Sequence, residues 1–594
     1  MPATVDTGRR LAKVASKTEH NGTKVRRGVR AGEPFMLSLD LPERLNAATL
    51  LVDSHLAAGR ESKAAILCGE RVITYRELSE QVSRFGNALR QRDVRLEERV
   101  MLLLPDSPEF AFAFFGAMKA GAVAVPLNTN LKPADYEYFL NDSRATVLVI
   151  DVGLLGLLDG VRTKYLKHIF VSNAAWAAGS PDAAVAVPMP TTAEVASLQR
   201  VLGDASPELQ AADTSKDDMA FWLYSSGTTG RPKGAVHLHH DMIVAADMYA
   251  QATLRLKEED VSFSVAKLFF AYGLGNGLYF PLRVGATTVM LSGRPTPEAV
   301  FATLDRHQPS VFYSVPTSYL ALLHEADKAG RKSLGRVRVC VSAGEPLPKH
   351  VYETWRERFG VEIIDGIGST EILHIYISNR PGQVIPGSTG QVVPGFEAKI
   401  VDEHGQTVPP RHVGTLFVKG DSIANGYWNK HEETKNTFHG HWINTHDKFL
   451  VDEDGYFWYA GRTDDMFKVS GQAVWPTDVE GVLLQHPAVL ESGVVGGADP
   501  EGLVKPVAFV VLKDGHPGTP ELTRELQDFV KSHTAAYKYP RAVVYVDSLP
   551  KTATGKIQRF KLRELVGRLT PLHPQPAAAP SDAAAAGSET KSEG

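Results

Sequence analysis

Tyr224-Ser-Ser-Gly-Thr-Thr-Gly-Arg-Pro-Lys-Gly234 packs three glycines, four hydroxyl side chains and one lysine into the ten positions after Tyr224. Ahead of it, Met219-Ala-Phe-Trp-Leu-Tyr224 is apolar and aromatic enough to read as a buried strand. Gly227, Gly230 and Gly234 let the backbone turn its N–H groups inward into an anion nest. Ser225, Ser226, Thr228 and Thr229 add rotatable donors, and Lys233 adds a point charge. The stretch reads as a phosphate cradle. It is not a Walker A loop: Gly234 follows Lys233 where that loop has Ser or Thr, and Pro232 stands where it needs a free backbone donor.

The loop closely resembles the signature loop of the acyl-adenylate-forming superfamily, which includes acyl-CoA synthetases, luciferases and peptide-synthetase adenylation domains. Four further segments match that superfamily in order, and together they span most of residues 220 to 560. In Gly366-Ile-Gly-Ser-Thr-Glu371 a carboxylate stands beside a hydroxyl on a glycine-entered loop. That arrangement suits Mg²⁺ held between Glu371 and nucleotide phosphates, with Thr370 bonding the phosphate. In Trp442-Ile-Asn-Thr-His-Asp447 and Gly461-Arg-Thr-Asp464 the resemblance implies that Asp447 accepts from both ribose hydroxyls and that Arg462 supports ribose or phosphate. Read alone, the same two residues also fit a structural Asp–Arg pair. Asp464 falls where the family has its hinge residue. Lys468-Val-Ser-Gly-Gln472 resembles the pantetheine-tunnel loop, implying CoA contacts at Lys468, Ser470 and Gly471. In Pro550-Lys-Thr-Ala-Thr-Gly-Lys556-Ile-Gln-Arg559, Lys556 matches the catalytic lysine, a fixed cation where negative charge develops.

Nucleotide contacts are expected from Ser225, Ser226, Gly227, Thr228, Thr229, Gly230, Lys233, Glu345, Asp365, Gly366 and Ile367, besides Asp447 and Arg462. Three positions depart from the family pattern. Ile367 replaces an aromatic that stacks on adenine, His446 replaces the glycine before Asp447, and Asp365 stands where many relatives have an amide or other polar residue. None of the three removes an indispensable charge.

Lys267-Leu-Phe-Phe-Ala-Tyr-Gly-Leu-Gly-Asn276, Ser342-Ala-Gly-Glu-Pro-Leu-Pro348 and Ile367-Gly-Ser-Thr-Glu-Ile-Leu-His374 look specifically like benzoate–CoA ligases. Ala271, Tyr272 and Gly273 are expected to form one wall of the acid site, with Gly344, Gly366, Ile367 and Gly368 opposite. Small residues around one aromatic make a flat apolar slot, suited to a planar ring. His374 is expected to border it, and Phe269 and Phe270 to be core. The implied reaction uses ATP, with Mg²⁺, to link benzoate to CoA through an acyl-adenylate, releasing AMP and pyrophosphate. A hydroxybenzoate or aminobenzoate ligase, and a stand-alone adenylation enzyme that loads a carrier protein, remain the alternatives.

At 594 residues the chain is long enough for several domains and a substantial core. A net charge of −4 gives no electrostatic case for nucleic acid. Two cysteines, Cys68 and Cys340, exclude a disulfide framework and read as buried thiols in a reducing cytoplasm. No apolar run reaches membrane-spanning length, so a cytoplasmic monomer or homodimer is expected. From Leu41 onward short apolar strands alternate with amphipathic helices, which predicts an α/β fold of mainly parallel sheets. Glycine turns between Gly387 and Tyr427 predict a small β-rich subdomain, and a last compact α/β unit begins near Asp464. The expected layout is a disordered basic arm (1–35), an AMP- and acid-binding domain (36–463), a mobile lid (464–570) and an Ala/Pro-rich disordered tail (571–594).

Overall fold

The computed structural model describes residues 19–20, 23–27, 37–173, 186–225, 231–462, 465–469, 472–499, 503–551 and 557–568. They divide into two compact units, one running to Thr445 and including Phe449–Tyr459, the other made of His446–Lys448 and the chain from Ala460. The expected Ala/Pro-rich tail lies outside the described residues.

Two large sheets dominate the first unit. One has seven strands in the order Glu194–Ser197, His168–Ser172, Val147–Asp151, Arg99–Leu103, Val123–Pro126, Met219–Ser225 and Lys233–Leu238. Neighbours are parallel except the last pair, which forms the hairpin around the phosphate loop. The other has nine strands, with a parallel centre running from Ile363–Gly368 through Val339–Ser342, Val311–Ser314, Val261–Ser264 and Thr287–Met290 to Ala64–Cys68. The central strands are buried along their length, as β-branched runs covered on both faces should be. The α/β alternation read from the sequence is therefore the fold.

Local chemistry explains how the helices start and pack. Thr74 and Glu77 form the predicted capping box: Glu77 N–H donates to Thr74 Oγ1 at 3.2 Å, and Thr74 N–H donates to Glu77 Oε2 at 2.7 Å. The helix they open, Tyr75–Arg90, lies against Pro108–Ala120. A Cβ at Gly116 would stand 2.8 Å from both Phe85 Cβ and Val82 O, so only glycine lets these helices approach so closely. Every residue of Pro108–Ala120 is buried, including Glu109 and Lys119. Each has a partner, Arg71 at 2.7 Å and Asp53 at 2.8 Å, as buried charges require.

The β-rich part is a five-stranded sheet of Glu397–Val401, Gly414–Lys419, Trp442–Val451, Phe438–His439 and Phe457–Arg462. It runs further along the chain than the glycine turns alone indicated. In the second unit, Val489–Ala498 pairs antiparallel with Val504–Leu512, which pairs parallel with Ala542–Tyr545. Helices Pro476–Leu483, Pro520–His533 and Arg559–Arg568 accompany them.

Near the start of the described residues, Glu19–His20 pairs antiparallel with Thr23–Arg27, which pairs antiparallel with Leu37–Asp40. Such a ribbon rests on backbone hydrogen bonds and needs no apolar periodicity. Cys340 is buried as expected, but Cys68 is only partly covered. Among the described residues no helix is long and apolar enough to cross a membrane.

Candidate active site

The hairpin that carries the phosphate loop is in register at Ser225 with Lys233 and at Tyr224 with Gly234. Ser226, Gly227, Thr228, Thr229 and Gly230 lie outside the described residues. At the loop's two ends the structure brings together the residues read from the sequence. Ser225 Oγ donates to Glu371 Oε1 at 3.0 Å, and Tyr427 OH donates to the same oxygen at 2.8 Å. Lys233 Nζ stands 4.6 Å from the centroid of the Tyr427 ring, a cation–π contact. Tyr427, which sequence reasoning missed, thus links the lysine and the carboxylate.

Among the described residues, both hydrogen bonds to the Glu371 carboxylate fall on one oxygen. A carboxylate set among phosphate-loop hydroxyls in this way fits Mg²⁺ bound through one carboxylate plus substrate phosphates. No group of three or more His, Cys, Asp or Glu gathers elsewhere among the described residues to hold a metal by protein ligands alone. Thr370 and Glu371 sit on a short turn, Thr370–Ile372, which leads into Leu373 at φ +72°. That is a costly backbone for a bulky residue.

Asp365 and Ile367 lie on the strand Ile363–Gly368, while Gly344 and Glu345 follow the neighbouring strand Val339–Ser342. Asp365 is buried, and burial pushes its carboxyl well above the usual carboxylate range. Gly366 and Gly368 have a structural reason to be glycine. Their Cβ atoms would meet Ile377 O at 2.8 Å and His374 O at 2.7 Å on the antiparallel strand beside them. Gly344, at φ +94°, is exposed, and a Cβ there would have Val315 as its nearest neighbour at 3.9 Å. It is not drawn into the aromatic group described next.

On the acid side Ala271 and Tyr272 open a short helix, Ala271–Leu274. Gly273 is demanded by packing, since its Cβ would lie 2.1 Å from Lys267 O. The His374 ring is 4.4 Å from Phe280, 5.4 Å from Tyr249 and 5.6 Å from Tyr272. Its Nε2 is 3.2 Å from Tyr272 O, to which it donates, and Nδ1 has no partner among the described residues. Burial drives its pKa down to about 3, so the imidazole is neutral. Tyr272 and His374 are therefore in ring contact, Gly368 packs on the His374 backbone, and both rings are uncharged. Phe269 is buried, as expected of core, while Phe270 is half-buried.

The second unit holds the remaining described residues. Arg462 Nε and Asp447 Oδ1 are 3.6 Å apart, and His446, at the glycine position, has φ +59°. Lys468 is exposed on the strand Phe467–Val469. Asp464, Ser470, Gly471 and Lys556 lie outside the described residues. Their described flanks are well anchored: Asp465 pairs with Arg559 at 3.1 Å and with Arg563 at 3.2 Å.

Residues 54–428 match the AMP-binding enzyme family, and residues 478–556 match the AMP-binding enzyme C-terminal domain. A benzoate–CoA ligase of Thauera aromatica is 48% identical over 530 residues, covering 89% of this chain and 97% of that protein. A 4-hydroxybenzoate–CoA/benzoate–CoA ligase of Rhodopseudomonas palustris is 42% identical, covering 88% of this chain and 94% of its own length. Among solved structures, an anthranilate CoA ligase in complex with anthranoyl-AMP superposes with a TM-score of 0.82 at 42% identity, covering 89% of this chain and 98% of that one. A benzoate CoA ligase from Burkholderia xenovorans LB400 gives 0.78 at 45% identity, covering 87% and 100%. A chain that carries the family's motifs in order, on the family's fold, and matches its relatives over nearly their whole length belongs to the AMP-binding enzyme family, the acyl-adenylate-forming ligases.

Proposed function

We propose that this enzyme joins an aromatic carboxylate, benzoate foremost, to coenzyme A through an acyl-adenylate and releases AMP and pyrophosphate. The observation that carries the ring preference is the neutral, buried His374 set among Phe280, Tyr249 and Tyr272. Such surroundings accept a flat apolar ring and offer no cation to a second carboxylate. The likeness to benzoate and hydroxybenzoate ligases over nearly their full length supports the same reading.

In the first half-reaction a carboxylate oxygen attacks the α-phosphorus of ATP, the P–O bond to pyrophosphate breaks, and a mixed anhydride forms. Ser225 to Gly230 and Lys233 hold the phosphates, Thr370 bonds the phosphate, and Asp447 with Arg462 holds the ribose. Ile367 packs on the base, with Glu345, Asp365 and Gly366 beside the nucleotide. Mg²⁺ arriving with ATP would be held by Glu371, where it neutralises phosphate charge. Lys556 stabilises the charge that develops between the carboxylate and the α-phosphate. In the second half-reaction the CoA sulfur attacks the anhydride carbonyl, AMP leaves, and the thiol proton is lost. Lys468, Ser470 and Gly471 line the path of the thiol arm, and Asp464 is the hinge between residues 36–463 and the lid 464–570. Two free thiols and substrates made inside cells support a cytoplasmic setting.

The test is ATP consumption and AMP formation over benzoate, hydroxy-, amino- and fluorobenzoates, cyclohexanecarboxylate and hexanoate, with and without CoA. CoA-dependent turnover strongest on benzoate is expected. Turnover confined to aliphatic acids would overturn the ring preference, and turnover that needs a carrier protein in place of CoA would overturn the thiol acceptor.

A further inference from the structure

Behind the phosphate hairpin lies a buried side chain that the reaction does not touch. His237, on the return strand Lys233–Leu238, is fully buried, and so is Asp241 one helical turn on. His237 Nδ1 is 2.7 Å from Asp241 Oδ2, and Nε2 is 2.7 Å from the Thr370 carbonyl oxygen. Both neighbours are acceptors. A neutral imidazole has one N–H, which serves only one of them. Since a carbonyl cannot donate, Nε2 must carry a proton, and the short contact to Asp241 requires a second. The Leu238 N–H also donates to Oδ2 at 3.1 Å, so that second proton is held between Nδ1 and Oδ2. Phe221 stacks on the imidazole at 5.1 Å, with an interplanar angle of 17°.

What His237 grips is the turn that presents Glu371. Three successive carbonyls of that turn are held from outside it. Thr370 O accepts from His237 Nε2, Glu371 O from Ala424 N–H at 2.9 Å, and Ile372 O from Ser422 Oγ at 2.9 Å. Leu373 then takes up its left-handed backbone, which persists only where surrounding contacts over-determine it. Of the three outside donors, His237 alone sits on the hairpin that also carries Lys233.

We propose that His237, donating from Nε2 and held at Nδ1 by Asp241, is a positioning residue that ties the phosphate hairpin to the Thr370–Glu371 turn and so sets the geometry of the nucleotide site. The assignment rests on the function proposed above. It follows that the imidazole acts through the backbone and touches neither ATP nor the acid.

Two measurements test it. In protein labelled with ¹⁵N-histidine, long-range ¹H–¹⁵N spectra at neutral pH should show His237 Nε2 protonated, with His237→Gln supplying the assignment. Calorimetric ATP binding without acid should weaken on the order of tenfold in His237→Phe and in Asp241→Asn, with CoA binding unchanged. His237→Gln, which keeps a donor near the Nε2 position, should recover most of that loss, a rescue that a volume-filling role would not give. An unprotonated Nε2 in the wild type overturns the proposal, as does unchanged ATP affinity in both variants. Should His237→Phe fail to fold, Asp241→Asn and His237→Gln carry the binding test. A wild type that binds no ATP would defeat the proposed function and leave the ring protons still to be read.

Discussion

Tyr427 and Glu371 are 56 positions apart in the chain, yet the tyrosine hydroxyl donates to Glu371 Oε1 at 2.8 Å while the face of its ring lies 4.6 Å from Lys233 Nζ. One side chain therefore sets the distance between the loop's cation and the carboxylate read as the Mg²⁺ ligand. A hydrogen bond to a charged acceptor contributes about 1.5–3 kcal/mol, and the partial exposure of Glu371 puts this one at the lower end. Tyr427→Phe keeps the ring under Lys233 and deletes only the hydroxyl. Its expected effect is about a tenfold rise in the Mg²⁺ and ATP concentrations needed for half-maximal pyrophosphate exchange, with the KM for benzoate unchanged. A rise in the benzoate KM alone would show that Tyr427 serves the acid site instead.

The acid wall offers a second handle at Gly275. A Cβ there would fall 2.5 Å from His374 Cδ2 and 2.8 Å from Nε2, so the ring must move if alanine replaces glycine. Gly275→Ala is expected to lower kcat/KM for benzoate at least tenfold, an estimate from the sensitivity of reaction rates to misplacement of about 1 Å. ATP binding should be untouched. His374→Ala should enlarge the slot and shift preference among benzoate, hydroxybenzoates and aminobenzoates, read as ratios of kcat/KM. An unchanged ratio would remove His374 from the pocket.

Much of this was legible in the sequence, for stateable reasons. The parallel sheets announce themselves because their strands, such as Val311–Ser314, are buried on both faces and read as unbroken apolar runs. Ser225, Lys233, Thr370 and Glu371 stand out because phosphate chemistry demands those residue types on glycine-bearing loops. The strand His168–Ser172 and the short edge strand Glu194–Ser197 were not legible, since four or five residues carry too little pattern. Nor were Tyr427 and the partnership of His237 with Thr370, because contacts between residues 133 apart leave no periodic trace. Gly273, Gly366 and Gly368 drew attention as pocket-lining residues, whereas close backbone neighbours already require glycine at all three. The i, i+4 spacing of His237 and Asp241 was the one local clue available.

Acid stability follows from three buried histidines. Burial holds His374 at about 3 and both His55 and His239 at about 4, against an ordinary value near 6.5. Each stays neutral in the fold and takes a proton on unfolding, so between pH 6.5 and 4 the unfolded chain binds more protons. Stability therefore falls as pH falls through that window and is fully present above it. Each histidine removes roughly 2 kcal/mol by pH 5. Urea midpoints should drop between pH 7.5 and 5, and His55→Gln should flatten that slope by about a third. An equal slope in the variant would mean that His55 titrates in the fold.

At His446 the chain keeps a left-handed backbone, φ +59°, a conformation that favours glycine. The conformation is tolerable for histidine, a residue enriched there, and is an outlier for β-branched side chains. His446→Gly is expected to fold with its thermal midpoint little changed, and His446→Val to lose roughly 1–2 kcal/mol relative to it. Equal midpoints for the two would show that this peptide turns over at no cost.

Lys556 gives the sharpest division between the two half-reactions. The described residues on either side of 552–556 are tied together: Lys551 bridges Ile557, and Gln558 N–H donates to Pro550 O at 2.8 Å. Just beyond, Arg559 grips Glu480 at 2.7 Å. The proposed role makes Lys556 a fixed cation, and removing a preorganised charge of this kind costs roughly 10²–10³ in rate. The charge it meets develops when the carboxylate attacks the α-phosphate and not when the thiol attacks the anhydride. Lys556→Ala should therefore cut benzoate-dependent pyrophosphate exchange by about that factor while leaving thioester formation from supplied benzoyl-AMP near the wild-type rate. Equal loss in both assays would mean that the lysine serves a surface used in both steps, and the assignment of Lys556 to adenylation would fall.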